Sequence, residues 1–159
     1  MKQPRLRDSK QLDASIFRIG EIPRELIVKF CGSIVYNLYT GRTDISGDDW
    51  GDFFAEAIGG THLSRPIGIA DVVKNNTAWS MKTVKVAHPY DAKSVRLISG
   101  RCSPDYSYGI DDPHADVQKT GEAVLAIWNS RVDIAHSHYG NLRTGVLVRD
   151  PQLKDFCFF

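Results

Sequence analysis

Apolar side chains along this chain of 159 residues fall into three helical stripes and five short strand-like runs. Leu26, Ile27, Phe30, Cys31, Ile34, Val35, Leu38 and Tyr39 recur at the i, i+1, i+4, i+5 spacing of one helix face. Pro23 suits the first turn of that helix and Thr40-Gly41 ends it. Thr43 to Asp49 reads as a turn, with Ser46 or Asp48 able to cap a second helix. That helix, DDWGDFFAEAIGG, turns Trp50, Phe53, Phe54, Ala57 and Ile58 to a core, with Asp52 and Glu56 on its polar face. Gly68 to Val86 predicts two strands around an Asn75-Asn76 turn, and SVRLIS, Ser94 to Ser99, a third strand. Asp116 to about Tyr139 is the last helix, with Val117, Gly121, Val124, Leu125, Trp128, Ala135 and Tyr139 as its stripe. Two more strands follow, Arg143 to Asp150 and DFCFF. A sheet with helices packed on it is the natural way to bury this order of elements, which predicts an α/β fold.

Bulk composition keeps that picture and narrows the setting. The chain is 42% hydrophobic and 25% charged, ordinary for one globular domain spanning residues 1–159. No apolar run reaches the length of a membrane span, and MKQPRLRDSK is no secretory leader. Cys31, Cys102 and Cys157 are too few and too scattered for a disulfide framework or a CxxC zinc site, which predicts a reducing, cytoplasmic location. The apolar end on Phe158-Phe159 leaves two readings open: a sheet that continues beyond residue 159, or a terminus tucked into a core. Net charge is only +1, yet six basic residues face two acidic ones between Asp71 and Arg101. That local excess points to phosphates, with Lys85 and Arg101 the nominated nucleic-acid contacts. Arg101, Tyr106 and Tyr108 belong to a polar loop, Gly100 to Asp116, of the kind that carries recognition. Asp105, Asp111 and Asp112 in it do not have the spacing of a calcium loop. His136 and His138, two apart on a helix, do not share a face and make a poor metal pair.

The hairpin carries the chemistry. If Asn75-Asn76 is the loop, paired positions sum to 151, so Asp71 stands opposite Ser80 and Ile69 opposite Lys82. Alternation puts Ser80 and Lys82 on one face, and an aspartate, a hydroxyl and a lysine converge on a single patch of sheet. An aspartate after an apolar run, followed by a strand ending in x-x-Lys, resembles the PD-(D/E)XK nuclease superfamily, which includes many restriction endonucleases. Asp71 matches the first Asp of that motif and Lys82 its Lys, while Ser80 stands where Asp or Glu is usual. The resemblance implies a restriction-endonuclease-like core with a central mixed β-sheet flanked by helices. It also implies Asp71 as a Mg²⁺ ligand, Lys82 as the group that orients water, and a carboxylate supplied from elsewhere in place of the one missing at Ser80. A glutamate on the helix before the hairpin often joins such a site, which nominates Glu56, with Asp91 and Glu122 behind it.

The expected function is then Mg²⁺-dependent cleavage of double-stranded DNA, in the manner of a type II restriction enzyme, with a homodimer expected by analogy. The competing reading is a nuclease-like module without its metal site that binds DNA or a partner protein, which the Ser80 departure favours. A third is an interaction domain whose basic residues scatter over opposite faces. The chain has no Gly-rich phosphate loop, serine nucleophile elbow, HExxH or zinc-deaminase signature.

Overall fold

The computed structural model describes residues 17–98 and 102–159, apart from the side chain of Tyr106. Two helices open it, α1 (Arg24–Tyr39) and α2 (Gly47–Ile58), followed by three strands, β1 (Thr61–Ile67), β2 (Ala70–Lys74) and β3 (Thr77–Lys85). A 3₁₀ turn at Pro89–Asp91 and a short α3 (Pro104–Tyr108) lead to α4 (Val117–His138), β4 (Asn141–Arg149) and β5 (Phe156–Phe158). The five strands form one mixed sheet in the order β1-β2-β3-β4-β5. Neighbours are antiparallel except β3 and β4, which run parallel and need α4 as their crossover. The chain is thus an α/β fold, a central mixed sheet with helices on it.

Local chemistry accounts for the elements. Ser46 caps α2 in a reciprocal capping box, its hydroxyl taking the Asp49 amide while Asp49 takes the Ser46 amide. At the other end of α2, Lys29 and Lys74 donate to the carbonyls of Ala57 and Ile58 at 3.2 and 2.6 Å, filling acceptors the helix cannot satisfy itself. Asn75 takes the positive φ, 51°, that the hairpin turn demands, and the ladder Lys74–Thr77, Val73–Ala78, Val72–Trp79 has the register expected from the turn. Asp116 caps α4 through the Lys119 amide.

Most of the buried aromatic side chains lie on one side of the sheet. Phe30 of α1, Trp50 and Phe54 of α2, Trp79 of β3 and Phe158 of β5 stack and edge together at centroid distances of 5.1–5.7 Å. Trp50 also donates its indole N–H to the Gly145 carbonyl at 3.2 Å, so its one polar atom is satisfied in the core. Each such side chain contributes roughly 1.5–3 kcal/mol by leaving water. The other face is thinner: Ile69, Ala70 and Ala78 meet Ala135, flanked by Trp128 and Val132 of α4.

Several expectations need correction. Ser94 to Ile98 has no strand structure, and Ser99 lies outside the described residues. Both flanks of β3 are already taken, by β2 and by β4, and the outer strand beside β2 is β1, which lacks an obvious alternating pattern. Ile69 does not face Lys82 across the ladder; it sits in the two-residue turn between β1 and β2 and packs toward α4. Only half of the α1 stripe is covered, with Phe30 and Ile34 buried and Val35 and Tyr39 exposed. On α4 the stripe docks only in its second half, leaving Val117 and Leu125 in solvent. Among the described residues no helix is long and apolar enough to cross a membrane.

Candidate active site

The site begins where the sheet comes apart. The β1–β2 ladder pairs His62 with Val72 and next pairs Ile67 with Ala70, so four residues of β1 stand opposite Asp71 alone. Pro66, which has no amide to donate, lies within that excess. Such a bulge interrupts pairing and re-aims side chains beside it. On the other side of β2, the regular ladder to β3 ends at Val72–Trp79. Asp71 therefore occupies a gap between strands, and its carboxylate takes over from the backbone. Its Oδ2 accepts the Met81 amide at 2.8 Å. The Ser80 hydroxyl lies 3.5 Å from the same oxygen and the Lys82 ammonium 4.0 Å from it.

These three residues converge as the register requires, and their accessibility separates their roles. Asp71 and Lys82 keep 17% and 19% of their side-chain surface exposed, enough to meet a ligand. Ser80 is 1% exposed and serves to hold the Asp71 carboxylate rather than to touch a substrate. Trp79 and Met81 pack behind them in the aromatic core.

Asp71 and Lys82 open onto a cleft of ≈ 350 Å³. Gly47 and Asp48 from the start of α2 form one wall, His62 and Ser64 of β1 a second, and Arg131 of α4 a third. Arg131 also pins the turn that positions Asp71, donating to the Gly68 carbonyl from Nη2 at 2.7 Å and from Nε at 3.2 Å. Gly68 sits at φ +61°, and a Cβ there would lie 2.1 Å from the Arg131 carbonyl oxygen, so only glycine permits this approach. His62 is bound through Nδ1 to Asp52 Oδ1 at 2.8 Å.

Other nominated residues lie elsewhere. Glu56 is exposed on α2 and is not part of the cleft wall, whereas Asp48 of the same helix is. Asp91 is exposed in the 3₁₀ turn, and Glu122 is exposed and bonded by Gln118 on α4. Lys85 pairs with Asp44 at 3.2 Å, in a group completed by Arg149, which also bonds Asp44. Against the cost of partial burial, the Ile45 amide, then Lys85 and Arg149, hold the Asp44 carboxyl below its usual range. Arg101 lies outside the described residues, and Lys93 is exposed in the irregular stretch after β3. The sequence offered Asp48 only as a helix cap and gave no sign that Asp48, His62 and Arg131 share a cleft, because each joins it from a different element.

The donors that could hold a Mg²⁺ ion here are two carboxylates. Mg²⁺ takes one or two carboxylates and keeps several waters, and Asp71 and Asp48 share this cleft. Among the described residues no three His, Cys, Asp or Glu side chains cluster closely enough to cage a metal on their own. Comparison of the chain with protein-family models, with curated proteins and with solved structures finds no match.

Proposed function

We propose that this chain is a Mg²⁺-dependent endonuclease that hydrolyses phosphodiester bonds of double-stranded DNA, in the manner of a restriction enzyme. The observation that carries this reading is the Asp71 carboxylate and Lys82 ammonium, 4.0 Å apart at a break in the sheet and open to a polar cleft. Such a pair, accessible and backed by an aromatic core, suits a site for an anionic substrate better than a decorative ion pair on a sheet face.

Asp71 and Asp48 would hold the metal, which when bound supplies Lewis-acid polarisation of the phosphate and a more acidic water. Met81 N–H and the Ser80 hydroxyl fix the Asp71 carboxylate through Oδ2. Lys82 orients the attacking water and stabilises charge developing on the phosphate oxygens. Arg131, half-buried in the cleft wall, adds positive charge where a DNA backbone would enter.

The second reading, a module that binds DNA without cutting it, draws on Ser80, since a buried serine adds no charge where the motif usually has a carboxylate. One assay separates the two. Mixed plasmid and phage DNA is incubated with Mg²⁺ and wild type, Asp71→Ala or Lys82→Ala. Cleavage by wild type that falls about 10³-fold or more in both variants, with folding retained, upholds the nuclease. DNA retained in a mobility shift but left intact by wild type favours the binding module.

A further inference from the structure

The sheet has two edges, and they are finished differently. At the edge formed by β1 the strand bulges and carries Arg65 and Pro66, features that keep a further strand from pairing. β5 has no bulge, proline or charge within Phe156–Phe158. Phe159 exchanges both backbone bonds with Val146, donating its N–H at 2.9 Å and accepting at its carbonyl at 2.7 Å. Alternation in an antiparallel ladder then turns the N–H and C=O groups of Phe156 and Phe158 outward. No partner for these four groups occurs among the described residues.

A second unpartnered surface adjoins this edge. Lys29 ties one flank of α1 to α2 through the Ala57 carbonyl, and Phe30 meets the Phe158 ring at 5.3 Å beneath the helix. Successive helical residues turn by about 100°, so Ile27, Cys31 and Val35 form a ridge on the flank away from α2, with Val28 and Tyr39 beside it. Cys31 is exposed, and Val28, Val35 and Tyr39 are 63%, 65% and 88% exposed. Ile27 and Cys31 also line a groove of ≈ 640 Å³ with Ile22, Phe158 and Phe159, in which Lys154 is the one charged residue among the described lining. Strand edge and helix ridge thus make one continuous surface.

An extended peptide would satisfy the edge and leave the ridge in water. A second copy of this chain satisfies both. A two-fold axis perpendicular to the sheet at Cys157 pairs Phe156 with the partner's Phe158, and Phe158 with the partner's Phe156, through main-chain bonds. The same axis lays the two α1 ridges antiparallel and side by side on one face. Stable interfaces bury about 800 Å² on each partner, which a three-residue edge about 10 Å long does not reach without the helices. We propose that the chain forms a symmetric homodimer in which β5 pairs with β5 and α1 packs on α1, joining the two five-stranded sheets into one. This dimer stands whether or not the chain cuts DNA.

Sedimentation equilibrium and amide hydrogen exchange over one dilution series test it. Wild type is expected to pass from dimer to monomer, and the Phe158 amide to lose protection as it does. The Phe159 amide, bonded within the protomer, is expected to keep its protection throughout. Val35→Lys places like charges across the axis and is expected to weaken dimerisation about 30-fold or more, with the melting of the monomer unchanged. Should Val35→Lys fail to fold, Val28→Lys takes its place. A chain that stays monomeric at every concentration overturns the proposal. So does a dimer that tolerates the lysine or leaves the Phe158 amide unprotected, since its interface lies elsewhere. Protection of Phe158 only when an extended apolar peptide is added to monomer assigns the edge to a different partner and equally overturns it.

Discussion

The two faces of β3 have opposite characters. Trp79 and Met81 point into a dry aromatic layer beneath α1 and α2, where Phe30, Trp50 and Leu147 are essentially inaccessible. Ser80 and Lys82, one step along the same strand, point to a face that α4 covers only partly and that opens into a polar cleft. Alternation of side chains lets one nine-residue strand do both. The lesson is a division of labour. Stability is concentrated on one side, and the other is free to hold charges in a setting a packed core would not tolerate.

The largest effect expected from breaking this division is on the dry side. Trp79→Ala removes a fully packed indole from contact with Phe54 and should cost about 3–5 kcal/mol in urea-induced unfolding. If the layer is as continuous as described, DNA cleavage should disappear with the fold. On the cleft side a smaller change should separate the two. Gly68→Ala forces a Cβ against the Arg131 carbonyl and a strained φ, costing roughly 1–3 kcal/mol. Because that turn immediately precedes Asp71, cleavage should fall further than stability alone explains, which thermal melting and initial rates together would measure.

The third expectation sharpens the comparison at the rim of the dry layer, where Asp150 supports the turn carrying Leu153. The amide of Asp155, then those of Gln152 and Lys154, bond the Asp150 carboxylate and hold it below the usual carboxylate range, outweighing its burial. A carboxyl with a depressed folded-state value stabilises the fold above the ordinary carboxylate range, and that support is lost as pH falls through the depressed value. Melting temperature should therefore fall on acidification in wild type. It should fall less steeply in Asp150→Asn, which starts lower at neutral pH because one amide hydrogen-bond acceptor is replaced by a donor.

Local signals were readable from the chain, and proximity across elements was not. The register of the hairpin follows from Asn75 and from alternation, so the meeting of Asp71, Ser80 and Lys82 was legible. β1 was not, because Ser64, Arg65 and Pro66 break its pattern where it bulges away from Asp71. SVRLIS carries better strand residues than β1 but finds no free edge beside β3. Pairing partners, rather than propensity, decided between them. In the same way Lys85 looked like a companion of Lys82, but three residues along a strand reverses the face, and Asp44 pairs it there. Glu56 was placed by helix position alone. The helix turns Asp48 to the cleft wall, eight residues earlier, and leaves Glu56 in solvent.

The substitution of a side chain for a ladder bond at Asp71 gives the protein a built-in reporter. Met81 N–H is bonded by the Asp71 carboxylate, whereas its neighbours along β3 depend on backbone partners for protection. Its hydrogen exchange should rise whenever that carboxylate swings away, so this one backbone amide reports the position of the Asp71 side chain from within the sheet.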